Sequence, residues 1–441
     1  PIVRREFDLA APAGRATLFA SALGAYEIRI NGKRVGEDQL APGWTDYGLR
    51  APFLAYDVTA LLHPGKNAIA AQIADGWYAG RLGLSWLAPA GPPRGIYGRK
   101  PRFLAQIEIE RPRAAESSAR ETIATDGTWR STTAGPVREA DLLDGEVYDA
   151  RAEIQGADAT GFDDSKWSPV EVSEDLHPHL DALACEPVRI LETLKAVSVK
   201  EVKPGVHVFD LGQNMVGWCR VKLSAPAGTE IKLRHAEMAE ADGSIYTANL
   251  RSATQTDRYT CKGGGAGVFE PRFTCHGFRY VEVTGLPAKP AVTDLEGCVV
   301  GNSAPDAGTF KASDPLLERL WSNIRWTLRG NLLTVPTDCP QRDERLGWMG
   351  DIGAFAQTAV FQRDVSGVFT KWIQDVRDAQ ADDGRYPDFA PHPYGRNERF
   401  TGTPAWGDAG VIVPWVAWLN YGDKRLVQTH LYSMLKWLER S

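Results

Sequence analysis

The chain has 441 residues, 43% hydrophobic and 24% charged, which suits two to four soluble domains with proper cores rather than one. A formal net charge of −6 offers no basic surface for nucleic acid or an anionic membrane, and no apolar run approaches the 18 or so residues of a membrane span. Fourteen Trp serve either as filler in large β-sandwiches and helical barrels or as stacking faces for sugar rings.

The first two-thirds reads as β-structure. Residues 26–30 alternate apolar and polar side chains, Asn31-Gly32 supplies the positive-φ pair of a tight hairpin, and 33–35 resume the pattern. A turn at 64–67 leads into the apolar strand 68–73. Further strands are expected at 103–109 and 122–124, the latter closed by Asp126-Gly127. Short strands separated by turn residues predict a sandwich or jelly roll over 1–170. The polar stretch around Asp163 and Trp167 reads as a connector. A second β block over 180–305 has its clearest strands at 206–209, 219–223, 230–233, 258–261 and 280–283. Gly263-Gly264-Gly265 is a surface turn, because no helix with Lys-Ser/Thr follows it. Cys185, Cys219, Cys261, Cys275, Cys298 and Cys339 show no C-x-x-C spacing, so neither a metal nor redox use is expected. Free thiols and the lack of a visible signal peptide favour a reducing, cytoplasmic setting.

Near residue 311 the period changes. Asp314-Pro315 predicts an N-cap and first-turn Pro, and Leu317, Leu320, Trp321, Ile324 and Leu328 follow at helical spacing. Three more helices are marked by Ile352/Phe355/Ala359, by Phe369/Trp372/Ile373/Val376 and by Val427/Leu431/Met434/Leu435/Leu438. Residues 411–419 are apolar all round, which predicts a buried helix kinked at Pro414. Strands followed by helices imply separate domains, the helical one over 306–441. That region is expected to stop in mid-domain at Ser441, with apolar helix faces left open.

The densest chemistry lies between two of these helices. Residues 338–351 hold four carboxylates (Asp338, Asp343, Glu344, Asp351), two arginines (Arg342, Arg345) and Trp348, broken by Pro340 and Gly347. Carboxylates accept hydroxyl protons in pairs, Arg holds neighbouring carboxylates or ring hydroxyls, and Trp offers a face for C–H stacking. Crowding raises the proton affinity of one carboxyl, as glycoside hydrolysis requires. The plain alternative is a set of surface charges capping two helices. A second loop, from Asp382 to Asp408, mixes acids and aromatics: Trp406 is a candidate sugar platform, and Asp408 is either a site residue or an N-cap. His276 and His392 read as hydrogen-bonded structure.

The run Asp338-Cys-Pro-Gln-Arg-Asp-Glu-Arg-Leu-Gly-Trp-Met-Gly-Asp351 resembles the signature of bacterial α-L-rhamnosidases, glycoside hydrolase family 78. Segments 24–35, 40–47 and 75–80 resemble that family's N-terminal β-domain, 209–218 and 276–283 its following β-sandwich, and 404–409 part of its barrel. The resemblance implies two antiparallel β-sandwich or jelly-roll domains followed by the N-terminal part of an (α/α)6 barrel. It implies an inverting hydrolase of rhamnose-containing glycosides with no cofactor, and it leaves a homodimer open. By its motif Glu344 would be the general acid, Asp338, Arg342 and Asp351 would hold sugar hydroxyls, and Trp348 would wall the methyl group. Trp406 and Asp408 would be outer members of the pocket. The family's general base is a Glu later in the barrel, beyond Ser441; Glu398 lies in the right broad region but matches no family motif.

Overall fold

The computed structural model describes residues 1–84, 93–111, 120–397 and 399–440. Among the described residues, alternating side chains build a first pair of sheets. One runs in the order Ser168–Pro169, Arg130–Thr132, Ile2–Leu9, Gly65–Ala74, Ala25–Ile30, Lys33–Arg34. The other runs His179–Ala182, Arg50–Asp57, Arg15–Leu23, Arg102–Glu110, Arg120–Ala124. Their inward faces share one core that includes Phe7, Leu18, Ile28, Ile30, Ile107 and Trp129, the arrangement a strand period of two demands. Asn31 (φ 50°) and Gly32 (φ 79°) make the expected hairpin. The Asn31 amide also donates to Asn67 Oδ1 at 2.8 Å, tying two turns together.

The second β block is a continuous ten-stranded sheet. The two strands expected at 206–209 and 219–223 are one, Val206–Leu223, with a register shift between Asp210 and Met215. Gly212 (φ 72°) lies within that shift; just beyond it, at Gly217 (φ 146°), a Cβ would sit 1.9 Å from the Cys298 carbonyl oxygen, so only glycine keeps the strand paired on both sides. The expected wholly antiparallel order needs correcting at two places. Gly145–Asp149 pairs parallel with Thr256–Thr260, and His179–Ala182 pairs parallel with Arg50–Asp57. Each pairing joins segments distant in sequence, for which no hairpin geometry dictates an antiparallel course.

Helix α1 is a single turn, Gly76–Ala79; the helical region holds α2 (Pro315–Gly330), α3 (Met349–Gln362), α4 (Ser366–Asp378), α5 (Pro404–Gly407), α6 (Ala409–Tyr421) and α7 (Lys424–Arg440). Asp314 caps α2 by accepting from Leu316 N at 2.8 Å. Pro414 lies inside α6, which ends on Gly422 in the left-handed region (φ 69°), a frequent helix stop. In α7 the buried face is Leu426, His430, Ser433, Met434 and Trp437, whereas Leu431, Leu435 and Leu438 of the expected stripe are exposed. The helix carries two apolar stripes, and the one that meets α4 and α6 is buried. Leu316, Leu317 and Leu320 of α2 and Trp415 and Leu419 of α6 are exposed as well.

The largest core does not respect the change from strands to helices. Trp44, Tyr47, Trp77, Tyr78 and Leu82 pack in one cluster with Leu346, Ile352, Phe369, Trp372 and Trp437, each large side chain contributing about 1.5–3 kcal/mol. A buried polar contact joins the same two parts. Lys371 pairs with Asp375 at 2.6 Å and donates to the Trp44 carbonyl, and Thr45 Oγ1 donates to Asp375 at 2.7 Å. Burial holds the Asp375 carboxyl up at about 6 against the pull of Lys371. Removing the lysine strands that carboxyl in the core, so Lys371→Ala is expected to cost about 3 kcal/mol or more, seen as a lower urea midpoint. The double variant Lys371→Met with Asp375→Leu is expected to recover most of it; a double variant as unstable as the single one would place the cost elsewhere.

Candidate functional site

The loop that joins α2 to α3 is held from three sides. Gly347 packs so closely that a Cβ would lie 2.1 Å from the Ala390 carbonyl oxygen. Ala390 N donates to Gly347 O at 2.9 Å, and Met349 N donates to Asp388 O at 2.8 Å, so the loop is laced to the 388–390 segment. Arg345 (φ 53°) turns its guanidinium back and donates to the carbonyls of Leu142, Cys275 and Arg342 and to Gln255 Oε1. One side chain thereby ties the loop to three separate points of the ten-stranded sheet region.

These anchors gather the acids. Glu344 is buried; its Oε1 accepts from Trp348 Nε1 at 3.0 Å, and its Oε2 accepts from Arg342 Nε at 2.9 Å and Arg251 Nη2 at 3.0 Å. Asp338 accepts from Leu346 N at 3.0 Å through Oδ1 and from Arg342 Nη2 at 3.3 Å through Oδ2. Oxygens of Asp338 and Glu344 lie within 4.8 Å of each other. Burial, reinforced by the Glu344 charge, pushes the Asp338 carboxyl up to about 7, against the pull of the Cys339 thiol, the Leu346 amide and Arg342. Asp351, in the first turn of α3, is raised by partial burial and by Glu344, with Arg342 opposing. Asp343 is fully buried and faces the second β block, accepting from Ser252 Oγ.

The aromatic wall is only partly the expected one. Trp348 meets Phe389 edge-on (centroids 5.0 Å, 73°) and Phe400 (6.0 Å, 88°), and His392 stacks on Phe389 at 4.8 Å. Trp406, about one-third exposed, lies against Gly350 at the start of α3. Asp408 occupies the N-cap position of α6 but makes no side-chain cap bond; its Oδ1 accepts from Trp437 Nε1 at 3.0 Å. The capping alternative therefore falls, and the structure aims that oxygen at α7, not at Glu344. Glu398 lies outside the described residues. Sequence reasoning missed Phe389 and Phe400, whose loop was flagged for acids and aromatics with Trp406 alone named as a sugar platform, and Arg251, which sits in no motif.

Among the described residues, two clusters have metal-ligand residue types. His235, Asp257 and His276 are fully buried, but the two imidazoles stack at 4.3 Å and 21°, so their lone pairs run side by side and do not converge as ligands must. Burial, with His276 beside it, brings His235 down to about 3, and the cluster is a buried hydrogen-bonded staple, His276 Nε2 lying 3.1 Å from Asp257 Oδ1. Around Asp338, Cys339 and Glu344 the Arg342 guanidinium already occupies both carboxylates, and burial and Asp338 raise the Cys339 thiol well above its usual range.

The shift at Asp338 has a measurable consequence. Its carboxyl binds the proton more tightly in the folded chain, so its stabilising contribution is full below the unfolded value of 3.8 and is lost as pH rises toward about 7. Asp338→Asn is expected to flatten the dependence of the urea midpoint on pH between those two values. An unchanged slope would show that the carboxyl is not desolvated in this way.

Comparison with known proteins agrees with this arrangement part by part. Residues 11–192 match a model of the alpha-L-rhamnosidase N-terminal domain, 200–301 one of the bacterial alpha-L-rhamnosidase concanavalin-like domain, and 305–441 one of the bacterial alpha-L-rhamnosidase 6 hairpin glycosidase domain. An alpha-L-rhamnosidase of Streptomyces avermitilis is 50% identical over 438 residues, 99% of this chain and 41% of that protein. The crystal structure of the S. avermitilis enzyme complexed with L-rhamnose superposes with a TM-score of 0.93 at 49% identity, over all of this chain and 41% of that one. The structure of the alpha-L-rhamnosidase from Dictyoglumus thermophilum gives 0.91 at 36% identity, over 99% and 47%. The chain thus spans less than half the length of these relatives, and all three of its parts match in chain order. It belongs to the bacterial alpha-L-rhamnosidase family.

Proposed function

We propose that this chain carries the sugar-binding, proton-donating half of a glycosidase that releases terminal non-reducing α-L-rhamnose from rhamnosides, with Glu344 as general acid. The observation that carries the reading is the setting of Glu344: a buried carboxyl at the edge of an aromatic wall, with two guanidinium groups on one oxygen. The L-rhamnose complex of the Streptomyces enzyme supports the choice of sugar. In this reading Asp338, Arg342 and Asp351 hold ring hydroxyls, and Trp348, with Phe389 and Phe400 behind it, faces the apolar methyl side. Trp406 and Asp408 are outer members of the pocket, and α2–α7 are the first part of an (α/α)6 barrel.

The chemistry is inverting. The Glu344 proton passes to the glycosidic oxygen as the bond to the anomeric carbon breaks, and the bonding pair stays with that oxygen. Water adds to the anomeric carbon from the opposite face and gives its proton to a carboxylate base roughly 6.5–9.5 Å from the acid. Asp338 comes within 4.8 Å of Glu344 and shares Arg342 with it, a position suited to binding and too near for that base. The reading takes the base from a Glu outside these 441 residues.

In the intact enzyme, Glu344→Gln is expected to lower kcat on an alkyl α-L-rhamnoside by about 10²–10⁴-fold, measured as rhamnose released. Near-parental turnover would remove Glu344 from the acid role. Rhamnose binding in calorimetry with no turnover by the parent would instead favour a carbohydrate-binding protein.

A further inference from the structure

Arg251 belongs to the second β block, far from the acidic loop in sequence, yet its guanidinium reaches Glu344 Oε2 at 3.0 Å and the Asp343 carbonyl at 3.3 Å. Its backbone is held in an unusual conformation (φ 56°, ψ −116°) just after the turn Ala248–Leu250. A non-glycine residue stays there only where its surroundings over-determine it, and such positions concentrate at functional sites. Here the next residue supplies the restraint. Ser252 Oγ donates to Asp343 and accepts from Arg81 Nη2 at 3.0 Å, and Arg81 is itself clamped by both oxygens of Asp144 at 2.8 Å. The chain of contacts runs from the first β region through Arg81 and Ser252 to the acidic loop, and Arg251 is its outward-pointing arm.

We propose that Arg251 is a positioning residue for the general acid, resting on the reading of Glu344 given above. With Arg342 Nε and Arg251 Nη2 both on Oε2, that oxygen can only accept, so the transferable proton is carried on Oε1, the oxygen beside Trp348. When Oε1–H breaks and the glycosidic oxygen takes the proton, the charge left on the carboxylate spreads to Oε2, where two cations already stand. Interactions that strengthen as charge develops lower the barrier, and fixed donors cost no reorganisation at that moment. Arg342 is also engaged by Asp338, which leaves Arg251 as the cation whose hydrogen bonds to the loop end on Glu344 and the Asp343 carbonyl. The second β block thereby contributes to the proton transfer itself.

The test separates acid assistance from folding by varying the leaving group. A 2,4-dinitrophenyl α-L-rhamnoside departs with little need for a proton, whereas an alkyl α-L-rhamnoside cannot. In the intact enzyme, Arg251→Met is expected to lower kcat on the alkyl substrate by about 10–100-fold while changing kcat on the dinitrophenyl substrate by less than about 3-fold, and Arg251→Lys, which keeps the charge, is expected to recover part of the alkyl activity. Glu344→Gln, run beside them, should show the same leaving-group pattern more strongly. Equal losses on both substrates in the Arg251 variants, with the pattern intact in Glu344→Gln, overturn the role of Arg251 and leave the acid standing. Equal losses in Glu344→Gln overturn both. Should the Met variant fail to fold, Arg251→Gln and Arg251→Lys carry the same comparison.

Discussion

Four carboxylates within fourteen residues repel one another, and the acidic loop exists in this form because guanidinium groups take up the charge. Arg342 lies within the loop and bridges Asp338 and Glu344. Arg251 comes from the β block and reaches Glu344 and Asp343. Arg345 turns the other way and satisfies carbonyls of three separate segments. Without these cations the loop would hold two buried acids side by side with nothing to offset their desolvation. Their combined effect is to allow a tight acidic cluster while leaving the carboxyls different from one another: Asp338 is pushed to about 7, and Asp343 is turned away toward Ser252.

That arrangement makes the β regions part of the site and not an appendage to the helices. The core that contains Leu346 and Ile352 also contains Trp44 and Trp77, and the buried Lys371–Asp375 pair is completed by the backbone of Trp44 and the hydroxyl of Thr45. A loop on a helical scaffold would ordinarily be positioned by the helices it joins. Here the ends of that loop rest on α2 and α3, while the side chains in its middle are placed by turns of the β region more than sixty residues away in sequence.

Much of the local structure was legible because it rests on local rules. The Asn31-Gly32 hairpin and the Asp314 cap with Pro315 each depend on the conformational limits of one or two residues. Where two answers were locally equivalent, the reading failed. Helix α7 has two apolar stripes, and only its contacts with α4 and α6 decide which is buried. The strands at 206–209 and 219–223 read as separate because of the polar and glycine-containing stretch between them, yet that stretch carries the register shift of one long strand.

The sequence by itself determined the chemistry available: which short run carries the acids, the two flanking arginines and the indole, and to which family that run belongs. Spacing of residue types is enough for this, since all of them lie in one continuous segment. Only the tertiary structure decided what surrounds them. Arg251 carries no motif, Phe389 and Phe400 are ordinary aromatics, and Asp408 could be read as a site residue or a helix cap until its carboxylate was found against Trp437. Their roles depend on distances across the fold, which hydrophobic pattern and propensity along one chain do not encode.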